Sequence, residues 1–109
     1  MPTGRDVLGH GNIRESGLGT EKRGKYAGGE YVLRGYYSDT PRQDARDYVK
    51  YLCDEEGFIS LVDADFDVLG HAELGRNSVY PGYKIIVLVD YDADGYTTKV
   101  IHLEGKITP

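Results

Sequence analysis

Carboxylates recur at alternate positions twice in this chain, as Asp63, Asp65 and Asp67 and as Asp90, Asp92 and Asp94 before Gly95. Alternating acids that converge on a glycine turn form the first half of a calcium loop. The acid that should close such a loop at its twelfth position is Ile101 here. The flanks have strand composition where a calcium loop has helices. The pattern therefore reads first as an acidic hairpin turn. Should the two clusters meet, Asp90, Asp92, Asp94 and Asp65 are the candidate ligands of a weak divalent-cation site. No other cofactor is implied.

Histidine is the next group with chemistry near neutrality. The pentapeptide Asp-Val-Leu-Gly-His occurs twice, at Asp6–His10 and Asp67–His71. Two equivalent imidazoles could meet as ligands or as an acid–base pair, but a metal site needs three or four ligands. The plainer reading is a recurring local turn. His102 falls on the same hairpin face as Ile85, Val87 and Val89, where it could be the polar handle of a small pocket. Tyr83, Tyr96 and His71 are the other candidate lining residues. Cys53 lies on the apolar stripe of a helix, with nothing beside it to lower its pKa, so a packed and inert thiol is expected. Gly19–Tyr26 matches a phosphate-binding loop except at its last position, where a small hydroxyl residue belongs and Tyr26 stands. No apolar strand precedes it, and Ala27-Gly28-Gly29 cannot start the required helix.

The elements that must position these groups can be read from patterning. Thr40-Pro41-Arg42-Gln43 carries a cap residue, a proline at the first helical position and a glutamine three residues after the cap. Ala45, Tyr48, Val49, Leu52 and Cys53 follow at helical spacing, and Gly57 stands at the terminator. This predicts one amphipathic helix over about 41–56. Glu30–Tyr37 alternates as a strand before it. Phe58–Leu69 reads as a second strand, with Val62, Ala64, Phe66 and Val68 on one face and the three aspartates on the other. His71–Tyr80 reads as a weaker, polar strand. Tyr83–Tyr91 is apolar on both faces, the mark of a central strand covered front and back. Asp92–Gly95 then returns the chain through Tyr96–Glu104, with Val87 facing Val100 and Ile86 facing Ile101.

Residues 1–28 differ from the rest. They hold seven glycines and five basic residues against three acids, a local charge of +2 that leaves −7 for the remainder of a chain at −5 overall. Glycine density of this kind resists regular structure. The expected organisation is a glycine-rich basic arm over 1–28, flexible or docked on the body, and a single domain over 29–109.

The fold class expected is α+β, one helix packed on a curled antiparallel sheet of four to five strands. The order strand, helix, then strands resembles the cystatin-like or cone-type arrangement. The glutamine-valine-valine-alanine-glycine type loop and the tryptophan hairpin of cystatin inhibitors are absent, so protease inhibition is not implied.

Apolar residues make up 39% and aromatics 11% of the 109 residues, which suits a soluble globular domain. The acidic balance disfavours nucleic acid and acidic lipid as partners. No apolar run reaches the length of a membrane span, Met1–Arg5 opens no signal peptide, and the cytosol is the expected compartment. Ten tyrosines and no tryptophan make tyrosine the main contact residue. The function expected is a small non-enzymatic binding module, homodimeric, that contacts a protein partner through a tyrosine-rich sheet surface. A ligand-binding or hydrolase-like cone domain with a pocket between helix and sheet is the alternative. A third reading is an acidic decoy of phage or mobile-element type. The two-sided Tyr83–Tyr91 strand needs a second cover beyond the helix, either the glycine-rich arm or another copy of the chain, and the second of these is the ground for the homodimer.

Overall fold

The long helix, α2 (Pro41–Glu55), organises one side of the protein. In the computed structural model, which describes residues 1–108, Ala45, Tyr48 and Leu52 face inward and are fully covered. Pro41 starts the helix where a missing N–H costs nothing. Thr40 makes no side-chain cap bond, and Gln43 reaches forward to Asp47 instead of back to the cap. Gly57 ends the helix at φ 73° and turns Phe58 into the core.

Beneath α2 lies one antiparallel sheet of six strands. The elements in chain order are α1 (Gly4–Leu8), β1 (Ile13–Thr20), β2 (Glu30–Tyr37), α2, β3 (Ile59–Ser60), α3 (Phe66–Leu69), β4 (His71–Asn77), β5 (Tyr83–Tyr91) and β6 (Gly95–Glu104). Across the sheet the strands run β1-β2-β6-β5-β4-β3. The strand before the helix thus pairs with the last strand of the chain, and β5 is interior. The expected register holds, with Val87 opposite Val100 and Ile86 opposite Ile101.

Two expectations are corrected. The sheet has six strands, not four to five, because Ile13–Thr20 joins it against β2 despite two glycines. Phe58–Leu69 is not a strand. Only Ile59 and Ser60 pair with β4. Asp65 then accepts from the Val68 amide as an N-cap, Phe66 turns into the core and α3 follows. The alternation of acids and apolar residues was real, but a side-chain oxygen that bonds the backbone two or three residues on favours a turn over an extended chain.

The two faces of the sheet are closed differently. On the helix side, Tyr36, Tyr96, Leu74, Ile85, Val87 and Val89 pack with α2. Tyr36 and Tyr96 stack with ring centroids 5.2 Å apart. On the far side, Ile86 and Ile101 are also fully buried. There the cover is the chain itself. The loop from Glu21 to Gly29, pinned by paired backbone bonds between Glu21 and Gly28–Gly29, lies over β6 and β4. It is held by Lys25 on Glu73 (2.6 Å) and by Lys99 on Glu21. Leu61 and Ile107 sit over Gly75 at the other end. Asn77 clamps the tail by giving to the Ile107 carbonyl and accepting from its amide. The second cover that the apolar β5 demands is therefore supplied from within one chain.

Candidate functional site

The repeated Asp-Val-Leu-Gly-His segments have one structural meaning. Each forms most of a single-turn helix that ends on a left-handed glycine, Gly9 at φ 76° and Gly70 at φ 72°, with the histidine next. The surroundings then separate them. His71 opens β4, exposed and in register with Asp90. His10 reaches Asp44.

The remaining predicted residues do not converge. Tyr96 is sealed in the core, its hydroxyl under Gly4 and without a hydrogen-bond partner among the described residues. Burial pushes that hydroxyl's pKa well above the usual tyrosine range. His102 and Tyr83 line one shallow groove with Glu104 and Gly28. His102 also borders a hollow of about 170 Å³ with Pro2, Arg34 and Tyr48, where the sheet extends past α2. Between α2 and the sheet itself the space is filled by Tyr48, Leu52, Val87 and their neighbours.

The acids disperse into local roles. Asp92 accepts from the Asp94 and Gly95 amides and from Arg14 at 2.8 Å. The Arg14 contact, then the turn amides, hold its carboxyl down at about 2. Asp65 caps α3, Asp67 pairs with Arg42 and Arg46, and Asp90 is exposed on β5. Among the described residues no three His, Cys, Asp or Glu side chains converge as a metal site requires. Burial, then the nearby Asp54, raises the Cys53 thiol, which argues against nucleophilic use.

Two arrangements were not foreseen from residue spacing. The first is an open sheet edge. β1 is eight residues long, pairs only with β2, and leaves Leu18 80% exposed and Ile13 half exposed. Leu18, Val32, Tyr31 and Thr20 line a depression of about 410 Å³ beside it. The glycines that hid this strand also strip it of side chains. The opposite edge, β3, is two residues long and runs at once into turns.

No protein-family model, no curated protein and no solved structure matches this chain.

The second arrangement is a polar cluster at the start of α2. Asp44 is buried although it lies on a helix whose other acids are exposed. One of its oxygens accepts from Ser38 Oγ at 2.6 Å and sits 3.0 Å from His10 Nε2. The Thr40 amide in turn donates to Ser38 Oγ. Gly9 and Gly11 (φ 113°) bend the chain back, and the Tyr37 amide donates to the Asn12 carbonyl at 2.9 Å, which holds His10 over this corner. The only sequence signal was that His10 follows a terminator glycine. That His10 meets Asp44 depends on long-range packing of α1 on α2.

Proposed function

We propose that this protein is a small non-enzymatic binding module that acts as a homodimer, with two copies joined through β1. The observation that carries this reading is the unpaired outer flank of β1 beside an almost fully exposed Leu18. An eight-residue edge presents a row of free N–H and C=O groups, a template for another strand. Natural edges are blunted by proline, lysine or shortness. β1 has neither proline nor lysine; its devices are a register shift between Ile13 and Glu15 and the charges of Arg14 and Glu15 at one end, which leave Ser16–Thr20 uncharged. The other edge is short, so pairing of β1 with β3 of the next copy offers little and an open-ended filament is disfavoured. Pairing of β1 with itself about a two-fold axis closes the assembly.

The cone-type layer belongs to this reading, as a single long helix laid across an antiparallel sheet. The protein-partner surface is the β4–β5 tip, where Val79, Tyr80 and Tyr83 are exposed together. Three of the ten tyrosines (Tyr36, Tyr48 and Tyr96) are spent in the core, and Tyr37 lies at the opposite end of the sheet from Tyr83.

Size-exclusion chromatography with light scattering tests the dimer. A mass twice the 12.1 kDa chain is expected, and Leu18→Lys should return the monomer without loss of fold. A wild-type chain that stays monomeric at high micromolar concentration would remove the reading.

A further inference from the structure

We propose that the corner between the α1–β1 loop and the start of α2 binds a phosphate monoester, gripped by His10 and Arg5. This site is independent of the β1 edge. Asp44 accepts from Ser38 Oγ at 2.6 Å and from Thr40 Oγ1 at 3.5 Å before His10 is counted. Yet His10 is drawn onto that buried carboxylate, whose side chain is 6% exposed, while the imidazole stays 60% exposed. Here the anchoring end is buried and the working end faces water.

The chemistry follows from the anchor. A carboxylate only accepts, so Nε2 carries the proton and the ring's tautomer is set. Nδ1 makes no hydrogen bond among the described residues. An imidazole oriented by a buried acid is the arrangement by which proteins aim the second nitrogen at a ligand. The open cleft beside it, about 520 Å³, is lined by Arg5, His10, Asn12, Tyr37, Ser38 and Asp39. Arg5 supplies a permanent cation with a donor geometry matched to phosphate. A phosphate monoester shares one proton with Nδ1 in either charge state: its P–OH donates to the neutral ring, or its oxygen accepts from the protonated one. Asp39 is the one acid at the rim whose charge is not already engaged. The half-exposed Tyr37 ring offers a wall for the organic group of the ester.

The test is a long-range proton–nitrogen spectrum of the three imidazoles, assigned by His71→Asn and His102→Asn, titrated at constant ionic strength. The probes are inorganic phosphate and phenyl phosphate. We expect the neutral His10 ring as the Nε2–H tautomer, and saturable movement of its nitrogens alone. We also expect tighter binding of phenyl phosphate, and binding weakened about tenfold in Arg5→Gln, a substitution on an exposed helix face that leaves the fold intact. An Nδ1–H tautomer, equal movement of all three histidines, or undiminished binding in Arg5→Gln would overturn the site. Equal affinity for the two probes would overturn the monoester assignment. Asp44→Asn should release the tautomer preference; should it fail to fold, the Arg5→Gln result stands by itself.

Discussion

The two faces of the sheet are buried by different physics. The helix face is sealed by side chains that carry almost no charge, packed on one continuous element. The opposite face reaches the same burial at Ile86 and Ile101, but under a strap, the Glu21–Gly29 loop, held by ion pairs and glycine contacts. β5 makes the comparison direct, because Val87 and Ile86 are neighbours on one strand and both are fully covered. Burial alone therefore does not report how strongly a surface is closed. Dispersion and apolar transfer grow with every contact on the helix side, whereas the attraction within a partly buried ion pair is largely offset by the desolvation of its charges.

The largest effect should come from the helix face. Leu52 is fully buried among Phe58, Leu74 and their neighbours, and Leu52→Ala should cost about 3 kcal/mol in denaturant unfolding. A loss under about 1 kcal/mol would mean that α2 is a loosely docked cover, and the contrast between faces would collapse. Next comes the root of the strap. A Cβ at Gly29 would stand 2.4 Å from the Ile101 side chain and 3.1 Å from the Tyr26 carbonyl, so Gly29→Ala must push the strap off β6. About 2 kcal/mol is expected, with a lowered hydrogen-exchange protection confined to residues 21–29. Uniform loss of protection across the protein would show that the strap folds as one unit with the core.

How much of this was legible beforehand depends on whether a signal was local. Helix α2 could be read because Pro41, the Ala45–Tyr48–Leu52 stripe and Gly57 all act within the segment. The β5–β6 hairpin was legible for the same reason, down to its register. β1 was not, since Gly17 and Gly19 have low strand preference and pair only because β2 lies alongside. The Phe58–Leu69 error has the opposite cause. A period of two was present, but Asp65 and Gly70 override it by capping a one-turn helix. The His10–Asp44 contact spans 34 positions, and no spacing rule reaches it. The strap's role was visible only as a demand, the need of β5 for a second cover. Which segment answers was set by Lys25 and Tyr26 meeting Glu73. Burial of Tyr26, then the charge of Glu73, raises its hydroxyl above the usual range.

A smaller effect should separate the partners of that ion pair. Lys25 is largely in water, while the Glu73 side chain is 12% exposed. Lys25→Met leaves a buried carboxylate without its cation, and Glu73→Gln leaves only a solvated ammonium. The first should cost about 1 to 2 kcal/mol and the second clearly less, because an unpaired buried charge bears the desolvation penalty. Equal losses would show that the strap is held by Tyr26 packing and not by charge.

The smallest effect concerns the hairpin end, where Arg14 of β1 meets Asp92 beyond β5 and ties the open edge to the sheet's interior. The carboxyl is depressed from 3.8 to about 2, first by Arg14 and then by the turn amides. A depressed acid binds fewer protons folded than unfolded, so unfolding takes up a proton across that window. Its contribution is complete above about pH 4 and fades as pH falls toward about 2. Asp92→Asn should therefore flatten the acid limb of a stability–pH curve in that window and leave the neutral region nearly level with it. The two turn amides still find a neutral acceptor in the asparagine oxygen, so the hairpin survives while the Arg14 ion pair, the first cause of the depression, is lost. An acid limb of unchanged slope would mean that β1 is tied to the sheet by its ladder with β2 alone, and the edge would then be freer to fray than to recruit a second strand.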